Sequence, residues 1–268
     1  MSHDRGRATW IWRTKDIISD AQQAEHFVAF AQQNRLRRVY VHINPDFEFG
    51  DFEVFVSTCA RLGIAVEALM GDPEWVRNPH HESVKSRLRW IEAYQKRQAE
   101  AAQSRFKGLH LDIEPWNIPG WKTNKEAHVD FLNVLGMFKD FGNNVKPPLP
   151  VTADLPFWLH KVLTKEHLDA VLGTLDGATF MTYRNSPDGV MGIAGVALTA
   201  LGRHPGKSFD LAVETCPNNE GSHISYHGCT RARLNADLAR IESEKIPGNE
   251  RHRVGVAVHD YHHWIKMQ

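Results

Sequence analysis

The feature that most constrains the fold of this chain is a regular alternation of short β-like runs and helical segments. Eight apolar or alternating runs can be marked: ATWIW (8–12), RVYVHIN (38–44), IAVEALM (64–70), GLHLDIE (108–114), PVTADL (150–155), ATFMTY (178–183), DLAVET (210–215) and RVGVAVHDY (253–261). Segments with a 3.6-residue period lie between most of them, at 21–37, 52–62, 81–103, 126–141, 157–172 and 231–244. Strand-helix alternation repeated about eight times predicts a closed, parallel (β/α)8 TIM barrel.

The alternative fold is a doubly wound parallel sheet, but no glycine-rich phosphate turn follows the first run. No composition shift or Pro/Ser-rich linker divides the chain, so residues 1–268 are predicted to form a single barrel domain. Only seven residues follow Tyr261. We therefore expect the last helix of the barrel to be missing or reduced to a short turn.

Charge and cysteine content narrow the classes of partner. Lys plus Arg (32) equals Asp plus Glu (32), so composition gives no long-range field toward nucleic acid or an anionic membrane. The N-terminal MSHDRGRATW lacks an apolar export segment, and no stretch approaches the roughly 18 apolar residues of a membrane span. The three cysteines, Cys59, Cys216 and Cys229, lack metal-ligand spacing and are odd in number. These features predict a cytoplasmic protein without a bound metal or cofactor.

Strand parity predicts which side chains face the barrel lumen. Residues two apart on a strand share a face, so His110, Asp112 and Glu114 lie opposite the apolar Leu109 and Leu111, which must meet the helices. The same rule directs further polar and aromatic residues inward: Tyr40, His42, Asn44, Glu67, Asp154, Met181, Tyr183, Glu214, His259 and Tyr261. TIM-barrel active sites lie at the C-terminal ends of the strands, where most of these residues fall.

Convergence of inward carboxylates on one barrel mouth indicates function, because burying such groups unpaired costs several kcal/mol each. Five residues of the inward set are predicted to contact substrate beside Asp112 and Glu114, the carboxyl pair of the fourth run. They are His110, Glu67, Asp154, His259 and Met181. For any one of them, the alternative is a polar core residue whose hydrogen bonds are satisfied within the protein.

Asp112 and Glu114 offer the chemistry that acetal cleavage needs. Two residues apart on a strand, their Cα atoms lie about 6–7 Å from each other. Mutual repulsion raises the pKa of one carboxyl, which can then protonate a leaving oxygen, while the charge of the other offsets an oxocarbenium-like transition state. Glu114, before Pro115, is the better acid, and Asp112 the better electrostatic partner.

The fourth run also carries a family resemblance. F-K-G-L-H-L-D-I-E resembles the fourth-strand signature of family 18 glycoside hydrolases, the chitinases and endo-β-N-acetylglucosaminidases, which reads F-D-G-[ILV]-D-[ILV]-D-[WILF]-E. FMTYRN (180–185) resembles that family's sixth-strand M-[TS]-Y-D, and Trp264 falls where the family often has a sugar-stacking Trp. The resemblance implies that Glu114 is the acid/base, that Asp112 orients a substrate acetamido group acting as nucleophile, and that Tyr183 hydrogen-bonds its carbonyl.

The chain departs from that family pattern at three positions. Lys107 and His110 stand where the family has its first two aspartates, and Arg184 stands where it has the Asp after Tyr. His110, hydrogen-bonded or cationic, could replace the missing aspartate by keeping Asp112 ionised. Arg184 is then a candidate substrate contact.

Three alternative functions stay open at the sequence level. Glu214 ends the seventh run and could be the nucleophile of a retaining glycosidase if its carboxyl lies about 5–5.5 Å from that of Glu114. A metal-dependent hydrolase or isomerase could draw ligands from the inward His and carboxylate residues: His42, His110, His259, Glu67, Asp112, Asp154 and Glu214. A non-catalytic carbohydrate-binding barrel is the third alternative.

Three loops on the predicted active face favour an extended carbohydrate partner. MGDPEW (70–75), PWNIPGW (115–121) and CPNNEGSHISYHG (216–228) are rich in Trp, Asn or His. Sugar rings are held by stacking on one face and hydrogen bonds at their edges. Trp116 and Trp121 are candidate stacking platforms, unless they only pin their loop to the barrel.

Overall fold

A computed structural model describes residues 6–77, 80–204, 206–246 and 249–268. Its eight barrel strands are β1 (Arg7–Ile11), β2 (Leu36–His42), β3 (Ala65–Met70), β4 (Gly108–Leu111), β5 (Val151–Pro156), β6 (Gly177–Met181), β7 (Ser208–Glu214) and β8 (Gly255–His259). Neighbouring strands all pair in parallel, and β8 pairs with both β7 and β1. The predicted (β/α)8 barrel is therefore confirmed.

Helices fill the connections between the strands: α1 (Lys15–Ile18), α2 (Ala21–Gln33), α3 (Phe49–Arg61), α4 (His81–Arg97), α5 (Lys125–Asn144), α6 (Lys165–Thr174), α7 (Pro187–Gly202), α8 (Arg231–Ser243) and α9 (Tyr261–Trp264). Five of these helices begin with a side chain that accepts a hydrogen bond from a free N–H group of the first turn: Asp20, Asn124, Thr164, Thr230 and Asp260. Between α8 and β8, Lys245–Ile246 pairs antiparallel with Asn249–Arg253.

Helix boundaries differ from the sequence prediction where the periodic signal is weak. The segment predicted at 157–172 is divided, because Thr164 caps a new helix, α6, after a short 3-10 turn at Leu159–Lys161. Helix α7 was not among the predicted segments, and its four glycines weaken helix propensity. The four-residue α9 follows β8, in agreement with the short turn expected there.

Two apolar regions hold the barrel together. The larger packs the outward faces of the strands against the helices, and the smaller fills the lumen with Ala8, Trp10, Tyr40, Leu69, Ala212 and Ala257. Trp12 and Tyr183 pack on this inner cluster and are only partly buried. Among the described residues, no helix is long and apolar enough to cross a membrane.

Candidate active site

Strand β4 ends earlier than predicted, and this changes the position of Glu114. Regular sheet pairing stops at Leu111, although the N–H of Asp112 still donates to the carbonyl of Met70 at 3.0 Å. Glu114 then adopts a left-handed backbone, with φ 48° and ψ 50°, and Pro115 starts a 3-10 turn. Parity therefore holds as far as Asp112, whereas the side chain of Glu114 is directed by the turn.

A close backbone approach fixes the Asp112 segment against β3. A Cβ added at Gly71 would lie 1.7 Å from the Asp112 carbonyl oxygen. Only glycine allows β3 to end so near the extension of β4. The position of Asp112 thus depends on a residue that carries no side chain.

The carboxyls of Asp112 and Glu114 are both shifted toward their protonated forms. Burial raises the pKa of Asp112 well above its ordinary value, and the charges of Asp154 and Glu114 raise it further. Its Oδ1 is buried without a hydrogen-bond partner among the described residues. Burial also raises the pKa of Glu114, against a hydrogen bond from Asn117 to its Oε2 at 2.8 Å.

Tyr183 lies among the carboxylates, as its electrostatics indicate. Burial raises its pKa well above the ordinary value, and the charges of Glu214, Asp154, Asp112 and Glu114 each raise it further. Its phenol therefore stays protonated and is a hydrogen-bond donor at neutral pH. The four predicted carboxylates of strands β4, β5 and β7 thus converge near one tyrosine.

Beneath this group, His110 belongs to a closed hydrogen-bond network in the lumen. Its Nδ1 lies 2.7 Å from Thr152 Oγ1 and its Nε2 lies 3.0 Å from Asp154 Oδ1. The ring stacks on Tyr40 with centroids 3.5 Å apart, and Trp10 Nε1 donates to Asp154 Oδ2 at 3.0 Å. Burial lowers the pKa of His110 to about 3, so the ring is neutral. Because both ring nitrogens are also engaged by Thr152 and Asp154, the expectation that His110, hydrogen-bonded or cationic, keeps Asp112 ionised is wrong.

Direct substrate contact is also wrong for three residues of the lumen. His110, Asp154 and Glu67 are 0%, 3% and 6% exposed. Thr152 donates to Glu67 Oε2 at 3.0 Å, and Arg38 lies between Glu67 and Asp210. Their polar atoms are engaged inside the protein, since a barrel of this size fills its lumen with side chains.

Glu214 and His259 form a second network at the ends of β7 and β8. Glu214 Oε1 accepts the backbone N–H groups of Thr215 and Cys216, both at 2.7 Å. His259 Nδ1 lies 3.1 Å from Glu214 Oε2, and Trp12 Nε1 donates to His259 Nε2 at 2.9 Å. Burial alone would lower the pKa of His259, but hydrogen bonding and charge from Glu214 raise it above its ordinary value.

Trp264 does not line the mouth, which corrects the role implied by the family resemblance. It is fully buried in α9 and meets Phe30 edge-on at 5.0 Å. Tyr261, predicted to face inward, also packs outside the barrel, against Phe27 and Phe30. Alternation fails for Tyr261 because β8 ends at His259 and a helical turn follows, and the same turn carries Trp264 into the core.

The other predicted substrate contacts differ in how far they are buried. Trp121 is buried and cannot be a stacking platform, whereas Trp116 is half-buried and contacts Trp121 and Trp158 edge-on. Met181, at the end of β6, and Arg184 are half-buried. The guanidinium of Arg184 donates to the carbonyl of Tyr183 and lies 5.6 Å from the ring centre of Phe157.

Two tryptophans of the site were not identified from the sequence. Trp10 and Trp12 lie two residues apart on and just after β1, and both contact His259. Parity in ATWIW would have placed them on the lumen face, since Ile11 packs outward with the helices.

Metal-ligating side chains gather at a different place from the one predicted. In the described part of the chain, two groups could hold an ion: Glu214, Cys216 and His259, and Cys216, Asp260 and His263. Of the predicted ligands, only Glu214 and His259 belong to either group.

Comparison with known proteins identifies the fold but no family. No protein-family model and no curated protein matches the chain. A family 18 chitinase from Pseudoalteromonas aurantia superposes with a TM-score of 0.60 at 12% identity, covering 97% of each chain. An endo-β-N-acetylglucosaminidase from Cordyceps militaris gives 0.55 at 12% identity, covering 94% of this chain and 80% of the other. A fungal β-1,4-galactanase gives 0.55 at 13%, covering 83% and 76%.

Proposed function

We propose that this protein is a glycoside hydrolase with Glu114 as its general acid/base. The observation that carries the proposal is the carboxyl pair after β4, where burial raises the pKa of both Asp112 and Glu114. A raised pKa keeps a carboxyl protonated closer to neutral pH, as the acid that protonates a glycosidic oxygen requires. Glu114 is the member of the pair whose carboxyl reaches an exposed side chain, since its Oε2 accepts from the amide of Asn117.

We further propose an N-acetylglucosaminyl substrate, cleaved with help from its own acetamido group. Glu114 gives its proton to the leaving oxygen as the glycosidic bond breaks and the acetamido oxygen bonds to the anomeric carbon. Asp112, whose Oδ1 has no partner among the described residues, hydrogen-bonds the acetamido N–H, and protonated Tyr183 donates to its carbonyl. Water then attacks, giving its proton to Glu114. The motif resemblance and the names of two similar folds, a chitinase and an endo-β-N-acetylglucosaminidase, support this substrate class.

Glu214 is assigned a positioning role in this scheme. Its Oε1 accepts two backbone N–H groups and also contacts His259, so that oxygen is fully engaged, and its Oε2 lies against the His259 ring nitrogen. A nucleophilic carboxylate needs a free oxygen aimed at the anomeric carbon. The retaining mechanism with Glu214 as nucleophile is therefore the weaker of the two.

The test compares wild type with Glu114→Gln on aryl glycosides of N-acetylglucosamine and its dimer, and on chito-oligosaccharides. We expect aryl release by wild type and a loss of about 10²–10⁴-fold in kcat/KM for the variant, the range of general acid-base catalysis. The exposed Glu166→Gln is the matched control and should retain full activity. Equal glycan binding by wild type and Glu114→Gln, with no release of reducing ends by either, would support the non-catalytic alternative instead.

A second comparison separates the two glycosidase mechanisms. Under substrate assistance, aryl glucosides that lack the acetamido group should not be cleaved, and no glycan should become attached to the protein. Mass spectrometry after reaction with a 2-fluoro glycoside would detect such an adduct. An adduct on Glu214, together with cleavage of plain glucosides, would overturn the acetamido mechanism while leaving Glu114 as the acid.

A further inference from the structure

Cys216, Asp260 and His263 form a compact group beside the proposed catalytic residues. Cys216 Sγ lies 3.1 Å from His263 Nδ1, and that nitrogen lies 2.8 Å from Asp260 Oδ1. All three ligand atoms lie within 4.8 Å of one another. Cys216 follows β7, whereas Asp260 and His263 belong to the segment after β8. The glycosidase scheme uses none of the three.

Hydrogen bonding alone holds the Cys216 side of this group weakly. A neutral imidazole Nδ1 carries either one proton or one lone pair, yet His263 Nδ1 meets two partners. If it donates to Asp260, it cannot accept from the Cys216 thiol, and the sulfur can only share that proton as a weak acceptor. A cation among the three atoms would accept a lone pair from each, after loss of the thiol proton to solvent.

We propose that Cys216, Asp260 and His263 bind a Zn²⁺-like divalent cation. Thiolate sulfur, imidazole nitrogen and carboxylate oxygen are the ligands of zinc, with bonds of about 2.0–2.3 Å. Tetrahedral bonds of that length set ligand atoms about 3.3–3.6 Å apart. The observed separations of 3.1 and 2.8 Å reach that range with movements of roughly half an ångström.

His263, unlike Cys216 and Asp260, borders a cavity. The cavity measures about 400 Å³ and is lined by Thr215, His227, Cys229, His263 and the C-terminal residues, among others. We assign the fourth position to a water from this cavity, or to His259, whose Nδ1 lies 3.6 Å from the Cys216 sulfur and would then leave Glu214. Mg²⁺ and Ca²⁺, which prefer oxygen ligands only, should not compete.

Such an ion would join the loop after β7 to the segment after β8. Hydrogen bonds already connect these two segments. Examples are those from Thr215 N and Oγ1 to the His259 carbonyl, at 2.6 and 2.7 Å. A structural ion that links two such segments contributes its binding energy to the folded state.

The test is metal titration of the full chain after stripping with a chelator. We expect one Zn²⁺ per chain by calorimetry, and a thiolate-to-metal absorption band when Co²⁺ replaces Zn²⁺. Cys216→Ser should lose that band, and both Cys216→Ser and His263→Gln should weaken Zn²⁺ binding at least about 100-fold, because even supporting residues of metal sites cost 10–100-fold. Circular dichroism establishes that each variant is folded, and His263→Gln decides the question if Cys216→Ser is not.

Cys229→Ser is the matched control, because Cys229 lines the same cavity but its Sγ accepts a hydrogen bond from Arg233 at 3.2 Å. It should bind one Zn²⁺ with wild-type affinity. Absence of stoichiometric Zn²⁺ binding by wild type, undiminished binding by Cys216→Ser, or loss of binding on Cys229→Ser would each overturn the assignment. No substrate enters the experiment, so its outcome is independent of the glycosidase proposal.

Discussion

At the scale of single residues, Asn117 lowers the pKa of the proposed acid, Glu114. Its side-chain amide donates to Glu114 Oε2, and this hydrogen bond stabilises the ionised carboxylate and lowers a pKa that burial has raised. Asn117→Ala removes the donor, so the pKa of Glu114 should rise further. The acid form would then persist to higher pH, and the alkaline limb of the kcat/KM profile should move upward.

The measurement is a pH series of kcat/KM on an aryl glycoside, whose limbs report the free enzyme. Asn144→Ala, an exposed asparagine in α5 that hydrogen-bonds its own helix, is the matched control. An alkaline limb that stays in place or moves to lower pH in Asn117→Ala would contradict the assignment of that limb to Glu114.

Trp10 offers a stability test with an internal control. Trp10→Phe removes the N–H that donates to buried Asp154, in addition to part of the ring. Trp264→Phe removes a similar ring volume, but Trp264 Nε1 has no hydrogen-bond partner among the described residues. We expect Trp10→Phe to lower the free energy of unfolding by about 1–3 kcal/mol more than Trp264→Phe, the cost of an unsatisfied buried polar group. Urea unfolding of both variants gives the difference, and equal losses would contradict it.

At the scale of elements, the strands were predictable and the points where they end were not. The alternation of apolar and polar residues predicts the interior of β4, because its apolar residues must pack against the helices. It carries no signal for the left-handed backbone of Glu114, since residues before proline normally adopt extended conformations. Tyr261 was misplaced for a similar reason, because parity was extended into a helical turn, whereas the position of Trp264 was inferred from the family resemblance alone.

The junction of β3 and β4 gives a prediction at this scale. Gly71→Ala would set a Cβ against the Asp112 carbonyl oxygen, so the backbone of one strand end must move. We expect a loss of about 1–3 kcal/mol in unfolding free energy, as for other overpacked sites. Because Asp112 moves with its backbone, kcat should also fall, with the amount measured on the same aryl glycoside.

Gly136→Ala is the control for this substitution. Gly136 lies in α5 with no atom near its missing Cβ, so alanine there should stabilise the protein by about 0.5–1 kcal/mol through helix propensity. A tolerated Gly71→Ala, with unchanged stability and kcat, would mean that the close approach to Asp112 has no consequence.

At the scale of the whole molecule, the site is made by closure of the barrel. Trp10 meets Asp154 across the lumen, and Trp12 meets His259 at the seam between the first and last strands, although each pair is far apart in sequence. Parity predicts the face on which each side chain lies, but partner choice depends on the register and tilt of all eight strands. The sequence therefore indicated which strands carry inward polar residues, and left the neutral His110 network and the Cys216 group to be found in the structure.

Closure of the barrel also buries ionisable groups away from water. The resulting loss of unfolding free energy can be measured as a function of pH. The pKa of Asp112 is raised well above its unfolded value of about 3.9, so folded protein binds more protons than unfolded protein between those two values. Stability contributed by protonated Asp112 is complete below the unfolded pKa and is lost as pH rises through the folded one. Asp112→Asn cannot ionise and escapes this loss.

We therefore expect Asp112→Asn to gain stability over wild type as pH rises from about 4, by up to about 1.4 kcal/mol per pH unit until the folded pKa is passed. Its glycosidase activity should fall at every pH. Urea unfolding of both proteins across this range measures the difference, with the exposed Asp140→Asn as control. A gap between Asp112→Asn and wild type that stays constant with pH would mean that Asp112 is ionised in the folded protein, and hence that burial does not control the chemistry of the pair.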